Sequence, residues 1–179
     1  MEGLLDFVVS PAGPADAAEL ARVHVRSWRE TYPGLLPQQA LDRMSLPVHA
    51  RRFRAELTHP RPGRAILIAE GPAGAVGYAS CGLLTGDARA ADAEVHTLYV
   101  LRAAQGAGVG RALMRGAARM LRAQGAGSLM VFVLTRNAPA RRFYERLGGE
   151  TFAEVTSSGW GADLTETAYR WTDIAVLTV

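Results

Sequence analysis

Three glycines at alternate positions, Gly106, Gly108 and Gly110, stand where an apolar run ends and a helical pattern begins. The first turn of a helix has amide N–H groups without intrahelical partners and carries the positive end of the helix dipole. Glycines at these positions let a ligand approach the backbone closely, and the ligand that such a helix start favours is a phosphate group. The segment therefore predicts a phosphate cradle, and a glycine-rich connection without a ligand is the structural alternative.

Two common phosphate-binding motifs do not fit these glycines. A dinucleotide fingerprint, G-x-G-x-x-G, needs its third glycine where Arg111 stands, and the acidic residue expected about 20 positions further on is also missing. A Walker loop needs lysine and then serine or threonine after its last glycine, but Gly110 is followed by Arg111 and Ala112. The ligand expected here is therefore held by neither of these two motifs.

Alternating and continuous apolar runs predict the elements that position this segment. We expect strands at 6–10, 65–70, 75–84, 93–100, 129–134, 151–155 and 164–171, and helices from Asp16 to about Trp28, over 38–57, over 108–123 and from Asn137 to Gly148. Asp16 and Asn137 are expected as the N-caps of their helices. The unit 94–134 is expected to form a right-handed parallel crossover. The prediction is an α/β protein with one mixed sheet in a single domain, 1–179.

The composition limits the classes of function. Hydrophobic residues make up 49% of the 179 residues and charged residues 21%, which predicts a buried core. No apolar run reaches the ~20 residues of a membrane span, and the first residues lack a signal-peptide pattern, so we expect a cytoplasmic protein without membrane contact. Cys81 is the only cysteine, which excludes a thiolate metal cluster, and we expect no metal. A net charge of +3 gives no signal for nucleic acid.

Two motifs at a characteristic spacing resemble one enzyme family. The segment 105–110, QGAGVG, is similar to the Q/R-x-x-G-x-G/A motif of the Gcn5-related N-acetyltransferases (GNAT), and N-x-x-A-x-x-F-Y-x-x-L-G at 137–148 and LYV at 98–100 also look like that family. The order of elements agrees over essentially the whole chain. The resemblance implies a twisted mixed sheet of six to seven strands with about four flanking helices, and acetyl-CoA as cosubstrate.

The resemblance also implies which residues bind acetyl-CoA. The pyrophosphate is expected on the amides from Gln105 to Arg111, with Arg111 adding charge. The pantetheine arm is expected along strand 93–100, in a cleft where that strand parts from strand 129–134, with Asn137 as a hydrogen-bond partner. Arg102, Arg141 and Arg142 are candidates for the 3′-phosphate, against the alternative of a solvated surface. The residues expected at the cosubstrate are Leu98, Tyr99, Val100, Gln105, Gly106, Ala107, Gly108, Val109, Gly110, Arg111 and Asn137.

Acetyl transfer to an amine needs a base, a polarised carbonyl and a stabilised thiolate. Glu94 is the expected base because its placement is similar to that of the glutamate base in histone-acetylating members of the family. His96 shares its face by two-residue alternation and is an alternative base or part of a water relay. Tyr144 is the expected acid for the CoA thiolate, while its ring packs on the apolar stripe of its helix. A backbone N–H near Leu98 to Val100 is expected to polarise the carbonyl.

The acceptor is the least determined partner. Trp28, Glu30 and Tyr32 lie where the family places acceptor contacts, although Trp28 also fits a helix core. Asp87, Asp92 and Glu94 give a weak indication of a cationic amine. The resulting hypothesis is an acetyltransferase acting by direct attack in a ternary complex on a primary amine of a small molecule or peptide. The alternatives are a non-catalytic acyl-CoA sensor and an enzyme for longer acyl chains; a homodimer is compatible with the family.

Overall fold

The computed structural model describes residues 6–86, 90–159 and 162–179. Within these ranges, seven strands form one sheet in the order β1-β2-β3-β4-β5-β7-β6, and among their pairs only β4–β5 is parallel. The strands are β1 (Val8–Pro11), β2 (Arg64–Gly71), β3 (Gly74–Leu83), β4 (Ala93–Val100), β5 (Leu129–Leu134), β6 (Glu150–Gly159) and β7 (Ala162–Trp171). The α-helices are α1 (Ala17–Thr31), α2 (Gln38–Asp42), α3 (Leu46–Thr58), α4 (Val109–Ala123) and α5 (Ala138–Arg146). This mixed α/β sheet confirms the predicted fold class and the parallel crossover.

The region 38–57 differs from its prediction as one helix. It forms two helices, α2 and α3, separated at 43–45, so the described residues hold five α-helices rather than about four. The reason is Pro47, which lacks an N–H and is tolerated in the first turn of α3 but not inside a continuous helix. Asp16 stands at the N-cap of α1, but its carboxylate accepts a hydrogen bond from the Gly13 N–H at 2.7 Å instead of capping α1.

Helices cover both faces of the sheet. On one face, which we call the α1 face, Leu20 of α1 and Phe53 of α3 pack with Ile66, Ile68 and Tyr78. The opposite side, the α4 face, has a larger core built from α4, α5 and the strands beneath them. Its members include Leu67, Val95, Leu113, Leu121, Tyr144 and Trp171. Cys81 is buried in this core, and burial raises the pKa of its thiol to about 11, as expected for an inert side chain.

Strands β4 and β5 separate soon after they begin to pair. They pair only at Ala93–Leu129, Glu94–Met130 and Val95–Val131. On its other edge, β4 has a bulge at His96, because Val95 lies opposite Cys81 while Thr97 lies opposite Ser80. A bulge bends its strand and increases the local twist. The second half of β4 therefore turns away from β5 and leaves an opening in the middle of the sheet, as the resemblance to the GNAT family implied.

Candidate active site

A cleft of about 650 Å³ occupies the opening between β4 and β5. Its lining comes from the end of α1, both parted strands, the glycine-rich segment, α5 and β7. Of the residues predicted at acetyl-CoA, six contribute to the lining besides Gln105: Leu98, Tyr99, Val100, Gly106, Gly110 and Asn137. Ala107, Gly108, Val109 and Arg111 do not line it, and Val109 is buried in the core. Their contact with acetyl-CoA stays a prediction.

The glycines of the segment fall into two kinds. Gly106 and Gly108 have φ angles of 80° and 86°, which L side chains rarely adopt, and a Cβ at either position would meet nothing within 4 Å. Gly110 has no such φ angle, but its Cβ would lie 3.2 Å from the Phe143 ring. Gly110 therefore allows α4 and α5 to approach each other, while Gly106 and Gly108 shape a turn with open space in front of it.

This turn presents a row of free donors. None of the amides of residues 106–111 donates a hydrogen bond to another described residue. The Gln105 side chain folds back and donates from Nε2 to the Val100 carbonyl at 3.1 Å, so it fixes the segment to the end of β4. Free amides beside the positive end of the 15-residue helix α4 make an anion-binding geometry.

Tyr144 and Asn137 reach the cleft from α5. Tyr144 is buried, with its ring against Tyr169 and Trp171 on the α4 face. Burial, and then the electrostatic influence of Tyr32, raise the pKa of its phenol, which therefore stays protonated at neutral pH. Asn137 is the N-cap of α5, as predicted: its side-chain oxygen accepts a hydrogen bond from the Ala140 N–H at 3.3 Å. Its amide NH₂ donates to no described residue.

Glu94 and His96 lie together on the α1 face. Nδ1 of His96 is 3.2 Å from Oε1 of Glu94, so the two side chains share one face of β4, as two-residue alternation predicted. His96 lines the cleft and Glu94 does not. Nε2 of His96 is buried without a hydrogen-bond partner among the described residues. Of this pair, His96 is therefore the residue that a ligand in the cleft can contact directly.

Two of the three residues predicted at the acceptor, Tyr32 and Trp28, are placed differently. Tyr32 lines the cleft, and its hydroxyl lies 3.2 Å from the hydroxyl of Tyr99. Trp28 does not line the cleft; it is buried, with its ring 4.9 Å from that of Tyr32. Trp28 therefore has the place in the helix core that was its alternative, and its contact with the acceptor stays a prediction.

The other acidic residues named from the sequence have structural partners. Glu30 lines the cleft, but its carboxylate bonds the Arg26 side chain and the Arg102 N–H, each at 2.8 Å. Asp92 accepts hydrogen bonds from the amides of Gly127 and Ser128 and so holds the start of β5. The indication drawn from Asp92 is therefore wrong, and Asp87 lies outside the described residues.

Glu166 of β7 is an acidic cleft residue that sequence reasoning missed. It pairs with Leu134, the last residue of β5, which places it beside the opening. Its carboxylate has no ion pair or hydrogen bond with a described residue. Burial, followed by the negative charge of Glu94, raises the pKa of Glu166 above its usual value. The sequence pattern of 164–171 predicted a strand but not which strand it pairs with. The pairing with β5 is what places Glu166 beside the cleft.

The arginines nearest the cleft also differ from those expected. Arg141 is engaged with the Tyr169 hydroxyl and the Thr135 carbonyl, and Arg102 with the backbone of Glu30. Arg142 is exposed and does not line the cleft. Arg102 does line it, together with Arg136 and Arg146. The positive charge available to a phosphate group on the cleft lining therefore comes mainly from these last two residues.

Comparison with known proteins decides the family. A sequence model of the acetyltransferase (GNAT) family matches residues 22–149. The chain belongs to this family. It is 30% identical over 163 residues to the uncharacterized N-acetyltransferase YuaI of Bacillus subtilis, covering 90% of this chain and 91% of the relative. It is 35% identical over 134 residues to the uncharacterized N-acetyltransferase Mb2688 of Mycobacterium bovis, covering 74% and 82% of the two chains.

Solved structures of the GNAT fold agree with this architecture. YncA of Salmonella typhimurium, solved with acetyl-CoA, has a TM-score of 0.68 and 22% identity, covering 93% of this chain and 94% of its own. The PaiA N-acetyltransferase of Thermoplasma acidophilum, solved with coenzyme A, has a TM-score of 0.70 and 16% identity, covering 93% and 100%. This GNAT protein is an N-acetyltransferase, and acetyl-CoA is the acetyl donor of its family. None of its described helices has the length and hydropathy needed to cross a bilayer.

Proposed function

We propose that this GNAT enzyme transfers the acetyl group of acetyl-CoA to a primary amine of a small molecule or peptide, by direct attack in a ternary complex. One observation carries the proposal: the cleft passes through the sheet between the parted strands. Free amides and Tyr144 lie toward the α4 face, and Tyr32, His96 and Glu166 lie toward the α1 face. A donor and an acceptor can therefore enter from opposite faces and meet between β4 and β5.

The donor side is supplied mostly by the backbone. The free amides of residues 106–111 would hold the diphosphate of coenzyme A, with Arg136 and Arg146 adding positive charge. The parted half of β4, Leu98 to Val100, has an edge without a partner strand, and a pantetheine arm with its amide groups can pair there like a short strand. The Asn137 NH₂ lies on the opposite wall as a further donor.

The reaction needs a proton acceptor for the amine, a hydrogen-bond donor to the carbonyl oxygen and a proton donor to the departing thiolate. The amine nitrogen forms a bond to the thioester carbon, the carbon–sulfur bond breaks, and the amine loses a proton. We assign the proton acceptor to Glu94, directly or through His96, which lies 3.2 Å from it. A backbone N–H of β4 near Leu98 to Val100 would stabilise the negative charge on the carbonyl oxygen. Tyr144, kept protonated by burial, would donate to the departing thiolate.

The test is release of free thiol from acetyl-CoA in the presence of aminoglycosides, polyamines, amino acids and peptide N-termini. We expect release that depends on one class of amine and equals the amount of acetylated product. Tight coenzyme A binding with no release for any amine would instead indicate a sensor and would overturn the proposal. The same assay, run across a range of pH, tests whether Glu94 is the proton acceptor. An unchanged pH–rate profile for Glu94→Gln would exclude Glu94 from that role.

A further inference from the structure

Glu166 differs from the other carboxylates around the cleft in having no partner among the described residues. Glu30 is bonded to Arg26 and to the backbone of Arg102, and Glu94 contacts His96. Glu166 makes neither an ion pair nor a hydrogen bond with any residue in the described ranges, yet it is half-buried and lines the cleft. An unpaired carboxylate in such a place costs stability unless a cation neutralises it.

The position of Glu166 indicates which substrate would supply that cation. On β7, Leu164 packs with the cluster of α1 and α2, so Glu166, two residues on, points to the same α1 face. This is the face of Tyr32 and His96 and lies away from the amides proposed for the diphosphate. Tyr32 and Phe132 line the cleft here as well, and aromatic rings favour an ammonium group near them.

Resting on the proposed function, we propose that Glu166 binds a second cationic group of the acceptor, so that the preferred substrates are amines that carry an additional positive charge. The reacting amine must lose its proton near Glu94 and His96, whereas the second group keeps its charge and pairs with Glu166. Glu166 is thus a positioning and specificity residue, and its carboxylate takes no part in bond making.

The experiment compares α,ω-diamines from 1,3-diaminopropane to 1,6-diaminohexane with n-alkylamines of the same lengths, using thiol release and acetyl-CoA at saturation. For the wild type we expect at least one diamine to be favoured over its n-alkylamine in kcat/KM. For Glu166→Gln we expect KM for that diamine to rise about tenfold or more with kcat within about threefold, since a charge-assisted contact is lost. The n-alkylamine should respond little, and Glu166→Asp should recover part of the preference.

Two controls separate this role from others. Glu154→Gln changes an exposed carboxylate on the neighbouring strand β6 and should leave every constant unchanged. Calorimetric titration with coenzyme A establishes that each variant is folded and binds the donor. Equal use of diamines and n-alkylamines would overturn the inference, as would a loss of kcat for both amines in Glu166→Gln, which would indicate proton transfer. Absence of thiol release with every amine tested would instead overturn the proposed function.

Discussion

At the scale of single residues, the proposed chemistry depends on side chains that the core holds in place. The ring of Tyr144 is fixed between Tyr169 and Trp171, so its hydroxyl can face the cleft without a hydrogen bond to orient it. Glu94 and His96 fix each other at 3.2 Å. Arrangements of this kind reduce the conformational entropy that binding and reaction would otherwise cost.

The role of Tyr144 is tested by removing only its hydroxyl. We expect Tyr144→Phe to lower kcat by about 100-fold, within the range typical for loss of a general acid, because the ring still packs while the donor to the thiolate is gone. The affinity for coenzyme A should hardly change. Thiol-release kinetics and calorimetry measure the two quantities.

Tyr169→Phe is the matched control for this change. The hydroxyl of Tyr169 accepts a hydrogen bond from Arg141 and donates one to Glu145, and Tyr169 does not line the cleft. The kcat of Tyr169→Phe should therefore stay near the wild-type value. If Tyr144→Phe retains full kcat while the wild type is active, Tyr144 has no part in protonating the thiolate.

The sequence predicted some of these residues and not others. Glu94 and Tyr144 stand close to recognisable motifs, so the resemblance to the family could place them. Glu166 has no motif, and its position depends on β7 pairing with β5 rather than with a neighbour in the sequence. The sequence left open whether Trp28 lies in the core or on the cleft, because a helical stripe does not show which of its members is covered by another side chain.

At the scale of elements, the starts of α4 and α5 carry the donor site. Asn137 has two separable functions at the start of α5: its oxygen caps the helix, and its NH₂ is free to bind a ligand. We expect Asn137→Asp to keep the cap but to weaken coenzyme A binding, since a carboxylate caps equally well and has no N–H. Asn137→Ala should lose both, with about 1 kcal/mol less stability.

The melting temperature measures the capping function of Asn137, and calorimetric titration with coenzyme A measures its contact with the ligand. An Asn137→Asp variant that binds coenzyme A as tightly as the wild type would show that the NH₂ group does not contact the ligand. The cap would then be the whole contribution of this residue.

Gly108 tests the glycine-rich turn itself. Gly108→Val places a branched side chain at a φ of 86° in space that we assign to the diphosphate, so coenzyme A binding should be abolished. Gly125, just beyond the end of α4, has a φ of 95° and equally open surroundings but lies at the opposite end of that helix from Gly108. Gly125→Val should therefore lose a similar stability, about 1–2 kcal/mol, and still bind. Equal binding by both variants would contradict the cradle.

Most elements could be predicted from periodicity because their patterns are long and regular. The β2–β3 hairpin, β4, α4 and β5 have almost the bounds that the sequence indicated. The break between α2 and α3 was missed, although Pro47 signalled it, because apolar residues continue on both sides of the break. The bulge at His96 had no local signal, since it arises from the register between β3 and β4.

At the scale of the whole molecule, the parted sheet separates two kinds of chemistry. The α4 face offers main-chain donors and arginines suited to a polyanion, and the α1 face offers Glu166 with Tyr32 and His96. Opposite charges at the two entrances would guide a polyanionic donor and a cationic acceptor to different sides. This division arises because β4 and β5 pair at only three described positions. The separation of the two binding sides therefore depends on where that pairing ends.

The most direct measurement is the response of the main-chain amides of residues 106–111 to coenzyme A, followed by amide hydrogen exchange and nitrogen–proton NMR spectra. These amides have no partner in the described structure, so without ligand they should exchange rapidly. We expect coenzyme A to slow their exchange and shift their resonances, while amides at the far end of α4 stay unchanged. Binding of coenzyme A without any change at residues 106–111 would contradict it.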